Sequence, residues 1–501
     1  MNSTAQLVSP ADTHNLELLA HLRPETYLNP VPQSKYNLVV IGGGTAGLVT
    51  AVGAAGLGAK VALVEKHLLG GDCLNVGCVP SKALLRSAKA AYEARRAAEF
   101  GVKVFSHQID FPAVMERVRR LRAHIAPLDG IHSLTQKGVD VFLGEARFLD
   151  SSTVEVADRK LTFARAVIAT GTSPAIPDIP GLKDCSPLTN ESLFDLTELP
   201  PSLAVLGAGP VGCEMAQAFA RLGSKVTLFE LKDRLLPAED PEASARLLES
   251  FTRDGITCHL GCANLSFSRA ETGIVAACVL NGQKITVEVN QVLVAAGRTP
   301  NTGHMQLDKV GVHTTRDGIA VNEQLRTTNS RIFACGDVCS QYKFTHAADA
   351  LARLVIGNAL FFSSAKLSDL NIPYSVYTSP EVAHVGRHAH TAGNECSVIR
   401  FELTHLDRAL LDGSPEGFVK ILHDKQGRIL GATIVSEHAG EHIAEFVLAM
   451  NHNISLSKLA SDIHPYPTYS EMIKKCGDLY RRTLLTPTVA NLLSSILKWR
   501  R

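Results

Sequence analysis

A repeated pattern of strand, glycine-rich turn and helix constrains the fold of this chain more than any other feature. Residues 37–66 read NLVVIGGGTAGLVTAVGAAGLGAKVALVEK: an apolar strand, a glycine turn, a helix of small residues and a second apolar strand that ends in Glu65. A second copy, LAVLGAGPVGCEMAQAFARLGSKVTLFE, occupies residues 203–230 and ends in Glu230 at the same spacing from its first glycine. Each copy predicts a βαβ unit. The chain is therefore expected to contain two similar α/β domains.

The glycine turns indicate what these two domains bind. In such a turn the first glycine allows a sharp bend, the second lets a pyrophosphate approach the backbone, and the third lets helix and strand pack closely. Phosphates then lie at the helix N-terminus, and the acid at the end of the second strand is suited to ribose hydroxyls. One such turn is weak evidence, but two in the same context predict two dinucleotide sites. The glycines are Gly42, Gly44, Gly47, Gly207, Gly209 and Gly212.

Length and composition exclude several classes of protein. With 501 residues, 45% hydrophobic and 20% charged, the chain is expected to form about three globular domains. Fifty basic and 49 acidic residues leave a formal charge of +1, so nucleic acid is not an expected partner. The sequence shows neither a secretion signal nor a run of about 18 apolar residues, which predicts a cytoplasmic protein without a membrane span. Eleven cysteines fit reduced thiols with one special pair better than a disulfide framework.

The remaining segments differ in pattern from the two repeats. Residues 1–36 are polar and contain prolines, so they are predicted to be disordered or to lie over the surface. After about residue 370, the strand-like YSVYT, FVKILH and ILGATIV precede the helical GEHIAEFVLAMNHN, which predicts an α+β domain. The final LLTPTVANLLSSILKWRR predicts a helix packed on its own protein, with a partner-docking or membrane-surface helix as the alternative. Its apolar face would consist of Val489, Leu492, Leu493, Ile496 and Leu497.

Cys73 and Cys78, between the repeats, are the candidates for a reactive thiol pair. They occur in GGDCLNVGCVPSK, directly before a run of strong helix formers. A helix N-terminus lowers the pKa of a thiol, and one turn of helix would bring the two sulfurs within disulfide range. The alternative is two buried structural cysteines. The clusters CHLGC at 258–262 and CGDVC at 335–339 lack a second half at zinc-site spacing, so no metal site is predicted.

These motifs together resemble the class I pyridine nucleotide-disulfide oxidoreductases, the family of dihydrolipoamide dehydrogenase, glutathione reductase and mercuric reductase. The resemblance covers about residues 37 to 485 and rests on VIGGGTAG, GGDCLNVGCVPSK, IATGTSPAIPDIPG, VLGAGPVGCE, VAAGRTPN, IFACGD and VYTSPEVAHVG. It implies an α/β fold with two Rossmann-like dinucleotide-binding domains, for FAD and for NAD(P), and a C-terminal α+β dimerisation domain. The implied boundaries are an N-terminal extension at 1–36, the FAD domain at 37–183 and 303–370, the NAD(P) domain at 184–302, the dimerisation domain at 371–485 and an amphipathic tail at 486–501.

The resemblance also implies roles for individual residues. Cys78 would face the flavin and Cys73 would meet the substrate, so that electrons pass from the nicotinamide to the flavin, the dithiol and the substrate. Lys82 and Glu214 would pair beside the flavin. Glu65 would meet the adenosine ribose of FAD, and Asp337 its ribityl chain. Further cofactor contacts are implied for Lys66, Lys82, Ala146, Gly171, Gly297, Gly336 and Thr345.

Two positions bear on thiol reactivity and on the choice of dinucleotide. Asp72 stands where the family usually has threonine, and its carboxylate is expected to point away from Cys73, since it would otherwise raise the pKa of that thiol.

Glu230 favours NADH, because an acid at this place bonds the ribose 2′-hydroxyl and repels a 2′-phosphate. Lys232 and Arg234 follow closely and either attract a phosphate or are simply solvated, so NADPH remains the alternative.

The segment IHPYPTYSE, residues 463–471, is where the resemblance predicts a histidine that enters the partner's active site and transfers protons. Aligned through Glu471, that position holds Tyr466, and a phenol with an unperturbed pKa near ~10 is a poor general base at neutral pH. Mercuric reductase has a tyrosine at this place, but its C-terminal cysteine pair and N-terminal metal-binding module have no counterpart here. His464 is the alternative base, because His464 and Tyr466 both precede prolines and side chains two positions apart in an extended segment point the same way. A histidine bonded within its own domain is the competing interpretation.

The sequence thus predicts a homodimeric FAD flavoprotein, similar to mercuric reductase, that uses NAD(P)H to reduce Hg(II) or a related thiol-reactive acceptor. The first alternative is a dihydrolipoamide dehydrogenase-type or other small-disulfide reductase that uses His464. An alternative of another class is a redox-sensing flavoprotein, in which the state of the dithiol changes how the C-terminal helix binds a partner.

Overall fold

The fold is that of a computed structural model, which describes residues 7–393 and 395–501. The chain forms two compact units. Unit 1 comprises 7–207, Met215–Phe229 and Cys262–Leu370, and unit 2 comprises Ala208–Glu214, Glu230–Gly261 and Asn371–Arg501. Each unit has its own hydrophobic core.

The first helix, α1 (Thr13–Leu22), overturns the prediction of a disordered or superficial N-terminal arm for the residues that the structure describes. Asp12 caps its start by accepting a hydrogen bond from the backbone N–H of Asn15 at 2.9 Å. Leu18 and Leu22 are fully buried in the core of unit 1. The two leucines lie one helical turn apart and form a short apolar stripe. This stripe packs on a core to which distant segments of the chain contribute.

The first repeat builds a mostly parallel sheet in unit 1. Strands β1, β2, β3 and β6 pair in parallel, and β4 and β5 continue the sheet in antiparallel fashion in the order β3-β2-β1-β6-β5-β4. The elements are β1 (Tyr36–Ile41), α2 (Thr45–Gly56), β2 (Val61–Glu65), α3 (Gly71–Asn75), α4 (Cys78–Arg96), α5 (Phe111–Ile125), α6 (Ile131–Gln136), β3 (Val139–Leu143), β4 (Ala146–Asp150), β5 (Thr153–Val156), β6 (Arg159–Ile168), β7 (Thr172–Pro174) and α7 (Asn190–Leu193). The prediction of a βαβ unit is confirmed.

The second repeat also forms parallel strands, since β8 pairs with both β9 and β14. A three-stranded antiparallel sheet, β11-β12-β13, follows it, and β18 then returns to pair with β6 of the first sheet while α10 packs on α2. The elements are β8 (Ser202–Leu206), α8 (Pro210–Leu222), β9 (Lys225–Glu230), α9 (Pro241–Arg253), β10 (Thr257–Leu260), β11 (Ala263–Arg269), β12 (Ile274–Leu280), β13 (Gln283–Val289), β14 (Gln291–Val294), β15 (Arg298–Pro300), β16 (Thr314–Thr315), β17 (Gly318–Ile319), β18 (Ile332–Ala334) and α10 (Thr345–Leu360).

Most of the C-terminal part of the chain is an antiparallel sheet with helices, as the α+β prediction requires. The sheet has the order β19-β20-β23-β22-β21, and α12 and α14 pack on it around the buried Ile434, Phe446 and Ile473. The elements are β19 (Tyr374–Val376), β20 (Glu381–Gly386), β21 (Ser397–Glu402), α11 (Asp407–Leu411), β22 (Phe418–His423), β23 (Ile429–Ser436), α12 (Ala439–Asn451), α13 (Leu456–Leu459), α14 (Glu471–Thr483) and α15 (Pro487–Trp499).

The last helix, α15, differs from its prediction. It forms at the expected place, but none of its residues is buried. The expectation that it packs on its own protein is therefore not met by the described chain. No helix in the described ranges is both long and apolar enough to cross a membrane.

Strand β3 lies at one edge of the large sheet, and the segment after α1 covers it. The Tyr27 hydroxyl donates to the Val141 carbonyl at 2.8 Å, and the Asn29 side chain both donates to the Leu143 carbonyl and accepts from the Leu143 N–H. Arg23 donates to the carbonyls of the two residues after Glu65, at 3.0 and 2.7 Å. We call residues 23–29 the N-terminal strap.

Candidate functional site

The turn between β1 and α2 requires glycine for steric reasons. Gly42 has φ +110°, and a Cβ on it would lie 2.3 Å from the carbonyl oxygen of Ala169. A Cβ on Gly47 would lie 1.7 Å from the carbonyl oxygen of Gly42. Gly44 is the N-cap of α2 and provides no side-chain cap. The first N–H groups of α2 are therefore available to an anion such as a pyrophosphate.

Glu65 holds this turn in place. One carboxylate oxygen accepts a hydrogen bond from the backbone N–H of Gly43 at 2.6 Å, and the other accepts from the N–H of His67 at 2.6 Å. Burial raises the pKa of this carboxyl group, while the two backbone N–H groups lower it. The carboxylate thus organises the loop on which a ribose is expected to lie.

The second repeat has the same arrangement at its acid. Gly207 has φ +102°, and Glu230 accepts from the N–H groups of Ala208 and Lys232 at 2.7 and 2.9 Å. A Cβ on Gly209 would meet no atom within 4 Å, which leaves open space at the turn. Gly212 lies in the first turn of α8. The predicted glycines and acids therefore occupy equivalent places in both repeats.

The side chain of Arg234, a candidate phosphate ligand, is engaged by its neighbour. Its guanidinium donates two hydrogen bonds to the Asp233 carboxylate, at 2.9 and 3.2 Å. The Lys232 backbone N–H is held by Glu230. The choice between NADH and NADPH stays a prediction.

The two candidate thiols lie on two helices and not on one continuous turn. Cys73 belongs to the short α3, Cys78 is the first residue of α4, and Val76 and Gly77 separate the helices. A Cβ on Gly77 would lie 2.7 Å from the carbonyl oxygen of Asp72, so this break requires glycine. The predicted single helical turn is wrong, but the two thiols do meet and hydrogen-bond each other.

The pKa of the Cys73 thiol is raised well above its ordinary value, so the lowered thiol pKa predicted from the helix N-terminus is wrong for this residue. The main causes are the hydrogen bond with Cys78 and burial, and the negative charge of Cys78 adds to them. A hydrogen bond with Thr345 acts in the opposite direction, and the Thr345 hydroxyl also lies 3.1 Å from the Cys78 sulfur. The reduced pair therefore keeps one proton between its two sulfurs in preference to two negative charges.

Asp72 forms an ion pair with Arg298, so its carboxylate has a partner other than the adjacent thiol. Arg298 also donates to the Thr172 hydroxyl at 2.6 Å and to the Thr172 carbonyl at 2.7 Å, and the Thr172 hydroxyl donates to Asp337 at 3.3 Å. The network connects the dithiol segment to the carboxylate that is expected to hold the ribityl chain. Arg298 and Thr172 were missed as site residues, although Arg298 directly follows Gly297 in the VAAGRTPN motif.

The other positions predicted to contact FAD are distributed over unit 1. Lys66 follows Glu65, Ala146 begins β4, Gly171 and Gly336 have φ +65° and +77°, and Thr345 begins α10. Burial raises the pKa of Asp337. The open N-terminus of α2, the carboxylates of Glu65 and Asp337 and the thiol pair fit an FAD molecule, because they offer amides to phosphates, acceptors to hydroxyls and a sulfur pair for exchange.

Lys82 and Glu214 belong to different units. Lys82 lies in the first turns of α4. The Glu214 carboxylate is buried and accepts from the backbone N–H of Tyr377 at 3.0 Å. Their pairing beside the flavin stays a prediction.

The segment 463–471 lies in unit 2, and its two candidate side chains have different surroundings. Tyr466 is 69% exposed, and its hydroxyl donates to Asp407 at 2.8 Å. The hydrogen bond and the charge of Asp407 raise the pKa of the phenol. Nε2 of His464 lies 3.0 Å from a carboxylate oxygen of Glu445. This contact lies within unit 2, and the role of His464 stays a prediction.

Glu471 begins α14, where a carboxylate is favoured by the helix dipole, and it pairs with Lys475 at 3.2 Å. Within the described residues, no group of three or more His, Cys, Asp and Glu side chains is arranged to hold a metal ion.

Known proteins share these features over nearly the whole chain. Residues 36–352 match the family model described as pyridine nucleotide-disulphide oxidoreductase, and residues 372–476 match its dimerisation domain. A mercuric reductase of Staphylococcus aureus is 34% identical over 447 residues, which cover 88% of this chain and 81% of that protein. A dihydrolipoyl dehydrogenase of Chlorobaculum tepidum is 36% identical over 457 residues, which cover 89% and 97% of the two chains.

Solved structures agree with the sequence relatives. The HOCl-induced flavoprotein disulfide reductase RclA from Escherichia coli superposes with a TM-score of 0.79 at 28% identity, over 89% of this chain and 100% of that one. A Cu(II) complex of the same reductase superposes with a TM-score of 0.78. Members of this group are FAD-dependent enzymes that use NAD(P)H. The glycine turns, the paired thiols and these matches lead to one conclusion: the chain belongs to the pyridine nucleotide-disulphide oxidoreductase family.

Proposed function

We propose that this protein reduces a thiophilic metal ion, Hg(II) or a related cation, with electrons from NADH, at the dithiol of Cys73 and Cys78. When bound, FAD carries two electrons between the nicotinamide and the dithiol. The overall reaction balances as Hg(II) plus NADH giving Hg(0), NAD⁺ and one proton. The relatives named mercuric reductase support the acceptor, as does the solved Cu(II) complex of a related reductase.

The thiol pair is chemically suited to a soft cation. Thiolates are the protein ligands that soft metal ions prefer, and the sulfurs of Cys73 and Cys78 are close enough to hydrogen-bond. Because the raised pKa of Cys73 keeps a proton on the reduced pair, binding of a cation to both sulfurs releases that proton. Affinity for the cation is therefore expected to increase with pH.

The observation that carries the choice of acceptor is the hydrogen bond from Tyr466 to Asp407. By alignment Tyr466 occupies the place of the family's proton-transferring histidine, and Asp407 raises the pKa of this phenol. The phenol stays protonated at neutral pH and is a poor base. Reduction of a disulfide requires a proton for the leaving thiol, whereas reduction of a metal ion does not, so a tyrosine here favours the metal ion.

NADH is proposed as the donor for a local reason. Glu230 ends β9 where the ribose 2′-hydroxyl is expected, and the nearby guanidinium of Arg234 is neutralised by Asp233. A 2′-phosphate would meet two carboxylates and one remaining basic side chain.

A second candidate function is reduction of a small disulfide with His464 as the base. Its side chain is 8% exposed and bonded to Glu445, and a carboxylate that orients an imidazole is a common arrangement for proton transfer. Nδ1 of His464 is buried and makes no hydrogen bond with any described residue. In a homodimer this segment is proposed to contribute to the active site of the other subunit.

The test is a comparison of acceptors with the purified FAD-loaded protein. Hg(II), Cu(II), lipoamide and glutathione disulfide are supplied in turn, with NADH and NADPH in parallel. Metal reduction is expected to exceed disulfide reduction and to depend on Cys73. It should decrease in Tyr466→Phe, because the phenol is proposed to lie beside the cation bound at the dithiol of the other subunit. The buried Tyr469 of the same segment provides the matched control Tyr469→Phe, which should retain turnover.

Dye reduction by NADH bypasses the dithiol and should stay constant in all these variants. If lipoamide or glutathione disulfide proves the better acceptor and His464→Ala abolishes that activity, the second candidate replaces the first. Absence of turnover with every acceptor would reject both.

A further inference from the structure

The last helix, α15, begins with favourable capping residues, but no other part of the described chain covers it. The Thr486 side chain accepts from the N–H of Val489 at 3.4 Å, and Pro487 occupies the first helical position. None of the 13 residues of α15 is buried. Isolated helices shorter than about 12 to 15 residues are marginal in water. A surface that buries one side of α15 is therefore required for a stable helix.

The large apolar side chains of α15 lie on one side. Apart from Trp499, their exposed fractions range from 40% to 62%. The side chains opposite to them are small and polar, at Asn491, Ser494 and Ser495. We call the first set the apolar face, which consists of Val489, Leu492, Leu493, Ile496 and Leu497.

The charges around this helix have a single sign. From residue 479 to residue 501 the sequence contains no aspartate or glutamate. Trp499, the only tryptophan of the chain, is 86% exposed and lies among the terminal basic residues. The basic residues of this segment are Arg481, Arg482, Lys498, Arg500 and Arg501.

We infer that α15 binds the surface of an anionic phospholipid bilayer and holds the reductase there. An apolar face, a polar face without acids, flanking basic residues and a terminal tryptophan are the features of helices that lie in the membrane interface. A helix too short to span a bilayer is long enough to lie flat with its apolar face among the acyl chains. The inference is independent of the electron acceptor.

A second copy of this chain is the competing occupant, because the matched dimerisation domain ends at residue 476, shortly before α15. The charge pattern favours the lipid. Five basic side chains without an acid in the same segment would repel their copies across a two-fold axis. An anionic bilayer attracts them, and each such charge near its surface strengthens binding about five-fold.

The experiment uses the full FAD-loaded chain with vesicles of phosphatidylcholine alone or mixed with phosphatidylserine. Because Trp499 is the only tryptophan, its fluorescence reports directly on the helix. With the mixed vesicles the emission is expected to shift to shorter wavelength and the protein to float with the lipid. Raising the salt concentration should weaken binding, since the attraction between exposed charges is screened.

Two pairs of substitutions separate the apolar face from the opposite side. Leu492→Gln with Ile496→Gln should weaken vesicle binding about 100-fold or more, as expected when two large apolar side chains are no longer buried. The matched control, Asn491→Gln with Ser494→Gln, should bind like the wild type. Dye reduction by NADH should be unchanged in both, because no residue of α15 is among those assigned to the flavin or the dithiol.

Three results would overturn the inference. The first is no spectral shift and no flotation with anionic vesicles. The second is equal vesicle binding by the apolar-face variant and its control. The third is a wild type that does not bind vesicles, combined with an apolar-face variant that no longer forms a dimer. That result would show that α15 packs against a second copy of the chain.

Discussion

Replacing Glu65 with glutamine tests whether this carboxylate organises the FAD turn. Its two oxygens accept hydrogen bonds from the backbone N–H groups of Gly43 and His67, both at 2.6 Å. Glutamine keeps one accepting oxygen but sets an amide NH₂ against the other N–H group. One charge-assisted hydrogen bond is lost and a buried donor is left without an acceptor, which costs about 1.5 to 3 kcal/mol. The dissociation constant of FAD is expected to increase about 10- to 150-fold.

The second repeat supplies the matched control. In Glu230→Gln the same change removes one of two backbone hydrogen bonds, from Ala208 or Lys232. This variant should keep its FAD and show an increased KM for NADH. FAD retention is measured by the fluorescence of flavin released after dilution, and thermal unfolding of both proteins with excess FAD shows whether the fold is intact.

One outcome would refute the reasoning. If Glu65→Gln holds FAD as tightly as the wild type while Glu230→Gln loses it, the two repeats bind the opposite nucleotides or the carboxylates do not organise the turns. Equal loss of FAD from both variants would likewise contradict the assignment of separate roles.

Three further changes have expected outcomes. Gly47→Ala would place its Cβ 1.7 Å from a carbonyl oxygen and should prevent FAD incorporation, whereas a Cβ in Gly56→Ala meets nothing within 4 Å and should be tolerated, as flavin absorbance of the purified proteins will show. Burial lowers the pKa of His384 to about 4, so the unfolded chain takes up a proton before the folded chain does. The contribution of His384 to stability is complete above about pH 6.5 and is lost as the pH falls through 4. The expected loss is about 2 to 4 kcal/mol in the free energy of unfolding. Thermal unfolding across this pH range should detect the loss, and His384→Gln should reduce it. Asp72→Asn removes a half-exposed ion pair with Arg298 and should lower stability by about 1 kcal/mol or less without loss of FAD, measured by thermal unfolding and flavin content.

Local sequence patterns predicted the two repeats because their information is contained in short segments. An apolar strand, a turn that only glycine fits and a helix of small residues follow one another within about 30 residues. The same holds for the acids at the strand ends, whose hydrogen bonds reach back to their own turns. The α+β pattern after residue 370 was equally local.

Features that depend on distant segments were missed. Helix α1 is defined by a core to which strands far along the chain contribute, and its few leucines gave no long periodic signal. The break between Cys73 and Cys78 follows from the close approach of Gly77 to a carbonyl, which residue types alone do not reveal. Arg298 and Asp72 are far apart in sequence, with more than half of unit 1 between them, so only the fold brings them together.

The N-terminal strap has a consequence for any shortened version of this protein. The family match begins at residue 36, after the strap, so a truncation designed from the match alone would remove Tyr27 and Asn29. Strand β3 would then present unpaired backbone groups at the rim of the sheet, a template on which another polypeptide can add a strand. We therefore expect a chain that starts at residue 36 to self-associate more readily than the full chain.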